Sequence, residues 1–202
     1  RQATLPGEGY QSFQVAHRRP AEFIRDNTLA ISGLLIPAIG GPSVKPFQPG
    51  GYYRHLNFPQ RKYTADTGEA QWRRGLYVHW QRQFLHPMMK AFDAPSREEC
   101  TTQRPQSNTP LAALVLLNDP QFFEASRVFA ERIINSKNTL EEQISHGFRL
   151  ATARHPRENE LEILVDLYNS QYQYFRQNRD KAYRVISVGE KPRDKSINIA
   201  KI

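Results

Sequence analysis

Three aspartates stand out in this chain because of their neighbours. Asp26 follows Arg25, Asp93 comes shortly before Pro95 and Arg97, and Asp119 precedes Pro120. Paired carboxylates are the usual means of general acid–base chemistry and of glycosidic bond hydrolysis. With Arg97 and Asn108, the three aspartates form a candidate catalytic set. An architectural use competes for two of them. A carboxylate just ahead of a proline is suited to accept from the free N–H groups at a helix start. That describes Asp119 well, and it fits Asp93 as a turn or cap residue.

His79 and His86 are the other candidates. Their spacing of seven would place them near one face of a continuous helix, where Cys100 or Asp93 would complete a small metal or haem-ligand site. The remaining histidines show no ligand spacing. Cys100 is the one cysteine, so neither an internal disulfide nor a cysteine-rich zinc site forms in this chain. There is no Cys-x-x-Cys-His, and hence no covalently attached haem of its own. The run Gly40-Gly41-Pro42-Ser43-Val44-Lys45 lacks P-loop spacing and reads as a tight turn. A Gly-x-Ser-x-Gly nucleophile elbow is also missing from the sequence.

These residues need elements to hold them. Pro20 opens a helix whose apolar stripe runs to Gly33-Leu34. Pro37 to Gly51 is dense in proline and glycine but interleaved with Val44, Phe47, Tyr52 and Tyr53, which predicts an ordered, packed loop. Trp72, Leu76, Trp80 and Phe84 recur every four residues and predict an aromatic helix ending at Pro87. Ser96 with Glu99 predicts a capping box and a short helix. Thr109-Pro110 and Asp119-Pro120 each predict a helix start, with Thr139 and Glu142 giving another. Leu111 to Leu117 is apolar on every side, which predicts a buried core helix flanked by Asn108, Thr109, Asn118 and Asp119. Pro156 begins the longest helix, and the last ends at Gly189. The expectation is an all-α fold of six or seven helices in an irregular bundle with one long ordered loop. Residues 1–202 form a single helical domain, with residues 1–18 and 190–202 irregular.

Composition sets the wider bounds. Of 202 residues, 39% are hydrophobic and 24% charged, which is enough for a real core. No apolar run approaches the roughly 18 residues that span a bilayer. The net charge of +8 is spread thinly, so nucleic-acid binding rests on charge alone and no nucleic-acid partner is expected. Arg1-Gln2-Ala3 shows no signal layout and reads as the start of an interior fragment.

Four blocks carry a resemblance. They are Ile24-Arg25-Asp26-Asn27 with Ser32 to Leu35 and Gly40 to Pro46, then Arg73-Arg74-Gly75-Leu76-Tyr77 with Trp80, then Phe92 to Thr101, then Ser107 to Pro120. Together they resemble the planctomycete-specific domain of unknown function at the C-terminal end of large planctomycete cytochrome-c-type proteins. The resemblance implies an exported protein, periplasmic or extracellular. It implies haem c in an upstream cytochrome-like domain, and a second planctomycete-specific domain as a partner in the same polypeptide. It brings no catalytic residues with it. The function it suggests is an accessory or interaction domain in polysaccharide handling or electron transfer, with a glycan as possible ligand. Exposed Tyr52, Tyr53, Trp72 and Trp80 would stack on sugars. The alternative is part of an enzyme, a sugar oxidoreductase or hydrolase, with its site near Asp93 and Arg97.

Overall fold

Where prolines and glycines are sparse this chain coils into helices, and where they cluster it runs as a packed loop. The computed structural model describes residues 19–53, 62–81, 84–105, 107 and 109–197. Asn108 and residues 1–18 lie outside the described residues. Seven α-helices are present within them: α1 (Ala21–Ser32), α2 (Pro87–Ala91), α3 (Pro110–Asn118), α4 (Pro120–Ile134), α5 (Leu140–Thr152), α6 (Glu158–Gln177) and α7 (Arg179–Ile186). The all-α expectation holds, since β pairing among the described residues is limited to three isolated bridges.

Helix ends follow local chemistry. Asp119 Oδ1 accepts from the Gln121 N–H at 2.9 Å, and Thr139 Oγ1 accepts from Glu142 N–H at 3.3 Å. Thr109 precedes Pro110 as expected but makes no side-chain cap. Gly33 ends α1 in the left-handed conformation. The longest helix, α6, starts two residues beyond Pro156, at Glu158, and the last stops at Ile186, short of Gly189.

The core lies between α1, α2 and α4. One cluster joins Ala21, Leu85, Met88, Met89, Phe92, Ala112 and Phe122. Phe92 and Phe122 meet edge to face at 5.8 Å. A second joins Leu29, Leu34, Trp72 and Ala125. Each fully buried leucine, methionine or phenylalanine among them contributes about 1.5–3 kcal/mol, and each alanine less. Helices α4 to α7 then pack in chain order, each on the next.

Three expectations fail. The aromatic segment is not a helix. It makes two short 3-10 turns, Gly68–Trp72 and Gly75–Tyr77, and leaves the second in extended backbone at Val78. Its backbone pairs with the loop instead: Ile36 N–H donates to Trp72 O at 3.0 Å, Val44 N–H to Tyr77 O at 2.8 Å and His79 N–H to Val44 O at 2.7 Å. Those partners satisfy the groups a helix would have paired internally. Ser96 caps no helix either. Arg97 sits at φ 63°, outside helical space, and the Ser96 carbonyl accepts from Trp80 Nε1 at 3.1 Å. Finally, α3 is not buried. Ala112 and Val115 pack on the core, whereas Leu111, Leu114 and Leu117 are 57%, 55% and 71% exposed. An apolar helix is covered only where other elements reach it, and here the core meets one side.

The prolonged loop is ordered as expected. Val44, Pro46 and Gln48 are buried within it, and Arg73 threads its guanidinium onto the carbonyls of Ala38, Gly40 and Pro42. At the other end of the described chain, Gly189 lets the backbone close onto α4. Buried Glu124 Oε1 accepts from Glu190 and Lys191 N–H groups at 2.6 Å each, and Oε2 accepts from Trp72 Nε1 at 3.1 Å. A Cβ on Gly189 would stand 2.4–2.6 Å from the Glu124 side chain, and φ there is +95°. Gly189→Ala is therefore expected to lose about 3 kcal/mol from backbone strain and overpacking together. Gly50→Ala, in open space, is expected to change stability by less than about 1 kcal/mol. Urea unfolding midpoints of the two variants check both values.

Candidate functional site

Arg25 lies on the α1 face that also carries Ala21, Leu29 and Ser32, and it is 2% exposed. A guanidinium cannot be buried without partners. Its Nε donates to Gln121 Oε1 at 3.2 Å, one terminal nitrogen donates to the Gln71 carbonyl at 2.5 Å, and the other to the Arg73 carbonyl. Asp26 Oδ1 stands 3.9 Å away. Burial lowers the guanidinium to about 10, against the attraction of Asp26 and Asp119, so it stays charged at neutral pH.

The same cluster grips the loop through Phe47. The Phe47 carbonyl accepts from His86 at 2.8 Å and from Gln121 Nε2 at 3.4 Å, while its N–H donates to Gln71 Oε1 at 2.9 Å. Because the Phe47 carbonyl can only accept, His86 Nε2 carries the ring hydrogen. Nδ1 is then a buried bare nitrogen with no hydrogen-bond partner. Burial, with the Arg25 charge adding to it, pushes the His86 pKa down to about 4.

Of the described predicted catalytic residues, Asp26 and Asp119 both face Arg25, whereas Asp93 and Arg97 are engaged with Ser107 and Trp80. Asp26 Oδ1 accepts from the Gly75 N–H at 2.6 Å, where Gly75 comes so close to Glu22 that a Cβ would touch its backbone at 3.0 Å. Asp119 caps α4. Burial raises the pKa of both carboxyls, with backbone N–H bonds and Arg25 pulling the other way. Asp93, at φ 57°, accepts from Ser107 N–H at 2.7 Å and from its hydroxyl at 2.7 Å. Arg97 instead stacks on Trp80, 3.7 Å from the ring centroid. The motif blocks are thus each other's partners: the first grips the second through Arg25 and Asp26, and the third grips the fourth through Asp93.

The metal candidates are scattered too. His86 is bound to the loop, His79 lies elsewhere and Cys100 is exposed. These residues do not fit a metal or haem iron, and no group of three His, Cys, Asp or Glu suited to a metal occurs among the described residues. Of the predicted sugar-stacking aromatics, Trp72 is core, Trp80 is covered by Arg97, and Tyr52 donates its hydroxyl to Leu85 O at 2.9 Å.

Tyr53 packs against the rings of Tyr52 and Phe84, and it lines a groove of about 350 Å³ with Lys45, Lys62, Tyr63, His79 and Gln81. The loop supplies Lys45 and Tyr53, and the extended strip supplies His79 and Gln81. Tyr53 and Tyr63 meet edge to face at 5.3 Å. The Tyr63 hydroxyl donates to Pro46 O, and burial raises its pKa, which keeps it a neutral phenol. Sequence reasoning missed Lys45, Lys62, Tyr63 and Gln81, because their convergence depends on the loop pairing with a segment that reads as helix. Arg25 left one signal: it falls in register with the apolar residues of its helix.

Fold and site together define an all-α domain with a buried arginine hub and a shallow cationic groove. Over residues 3–168 the chain matches PSD1, a protein family of unknown function (DUF1553), and it belongs to that family. No curated protein and no solved structure matches it.

Two outcomes follow from the hub. Arg25→Lys cannot reproduce the three-way fork and is expected to cost about 2–4 kcal/mol, read from denaturant midpoints. For His86, the unfolded ring takes up its proton near 6.5 but the folded ring only near 4. The unfolded state therefore binds more protons between those values, and stability is full above about 6.5 and falls toward 4. Asp26 and Asp119, raised in the folded state, act with the opposite sign, so the comparison must be with a variant. His86→Gln keeps an N–H for Phe47 O and is expected to lose less stability than the parent between pH 7 and 4.5, by up to about 3 kcal/mol. Equal losses in both proteins would refute a buried neutral His86.

Proposed function

We propose that this domain is an accessory glycan-binding module, working within an exported, cytochrome-c-linked polypeptide in polysaccharide handling. The observation that carries the reading is the groove, where Tyr53 and Tyr63 offer ring surfaces beside the polar ends of Gln81, His79 and two lysines. Mixed apolar and hydrogen-bonding walls suit a sugar ring, which has C–H faces and hydroxyl edges. A binding role is also supported by the use of the candidate carboxylates. Asp26, Asp93 and Asp119 each hold backbone N–H groups of other segments or helix ends. The exported, haem-linked setting is supported by the likeness of the four motif blocks to that planctomycete domain.

Isothermal titration with a panel of neutral and acidic oligosaccharides tests the reading. Binding by the intact chain is expected, weakened about fivefold in Tyr53→Ala, in line with the roughly 1 kcal/mol of an aromatic contact. Failure of every oligosaccharide in the panel to bind would overturn it.

A further inference from the structure

We infer that the groove selects anionic sugars, with the Lys45 and Lys62 ammonium groups holding a carboxylate or sulfate on the ring; this rests on the glycan reading above. Lys45, Lys62 and His79 stand among the six described lining residues, and none of those six is acidic. Among the described residues, no carboxylate is ion-paired with either lysine. The nearest acid along this wall, Asp66, is already engaged: its Oδ2 accepts from the Lys45 backbone N–H at 2.6 Å, and its own N–H donates to Lys45 O at 2.9 Å. That double link fixes the backbone under Lys45 while leaving its side chain out of the pairing.

The phenols add to the selection. Tyr63 stays neutral, so it does not repel an anion. An open, cationic groove favours a charged ligand through electrostatics rather than burial, and such attraction weakens with salt. The chain's +8 charge draws polyanions in the same sense. A neutral sugar would leave both ammonium groups without a partner, whereas a uronate or a sulfate ester would engage them directly.

The test compares three oligosaccharides of equal length, one neutral, one bearing uronic acids and one bearing sulfate esters, by titration calorimetry at two salt concentrations. At low salt the acidic ligands are expected to bind at least tenfold more tightly than the neutral one and to lose most of that advantage at high salt. The double variant Lys45→Gln, Lys62→Gln is expected to erase the preference. Its circular dichroism and melting temperature should match the parent's, because the Lys45 hydrogen bonds are made by backbone. The two acidic arms show which anion is preferred. Equal affinity for neutral and acidic ligands, with Tyr53→Ala still weakening both, would overturn this inference and leave the glycan reading standing. Binding by none of the three would remove both. Tighter binding of a single-stranded RNA of matched charge would overturn the sugar preference in favour of general polyanion binding.

Discussion

One buried guanidinium sets what the rest of this structure must do. Arg25 sits in α1 almost out of reach of water, and apart from the neighbouring Asp26 carboxylate its partners are oxygen atoms from other segments. Meeting that demand brings the Gln71 and Arg73 carbonyls to α1 and orients Gln121 on α4. The stretch Gly68–Tyr77 then forms two short 3-10 turns rather than one α-helix, with the Gln71 and Arg73 carbonyls turned to the arginine. Those turns in turn free the backbone edge that the loop uses at Ile36, Val44 and His79. The groove lies at the end of this chain of consequences, since its walls are the loop and that edge.

A second polar system runs along α4. Gln121, Glu124, Arg127 and Glu131 are all buried on a helix that reads as amphipathic in the ordinary sense. Their spacing places them on one face, where they serve as a row of side-chain acceptors and donors for elements that lack regular pairing. Glu124 saturates itself with three N–H donors, and the Arg127–Glu131 pair at 2.6 Å extends to the Lys191 carbonyl. Irregular backbone has to be paired somewhere when it is packed against a core. In this fold α4 does that work for Trp72 on one side and for residues 190–194 on the other.

The resemblance blocks gain a physical meaning from these contacts. Arg25 and Asp26 bind the stretch Arg73 to Gly75, and Asp93 binds Ser107. Residues that stood out for their acid–base character are therefore joints between segments. The groove uses different residues: Lys45, which a motif block contains but reads as part of a tight turn, Lys62 beside a tyrosine, and a histidine that sequence spacing had paired with His86.

Much of the architecture was legible without coordinates because its determinants are local. The starts at Pro110, Pro120 and Leu140 follow from Thr109, Asp119 and Thr139 next to them, and the order of the Pro37–Gly51 loop follows from its interleaved apolar residues. The sequence by itself determined the all-α class, the helix starts at Pro110, Pro120 and Leu140 and the basic charge. Only the tertiary structure decided that Trp72 to Gln81 is not an α-helix, that all four leucines of α3 stay exposed, and that Arg25 rather than an aspartate is the buried centre. The reason is range. A cap or a proline acts within three or four residues, but whether a segment pairs internally or with a distant partner depends on competing hydrogen bonds that are defined once both segments are in place.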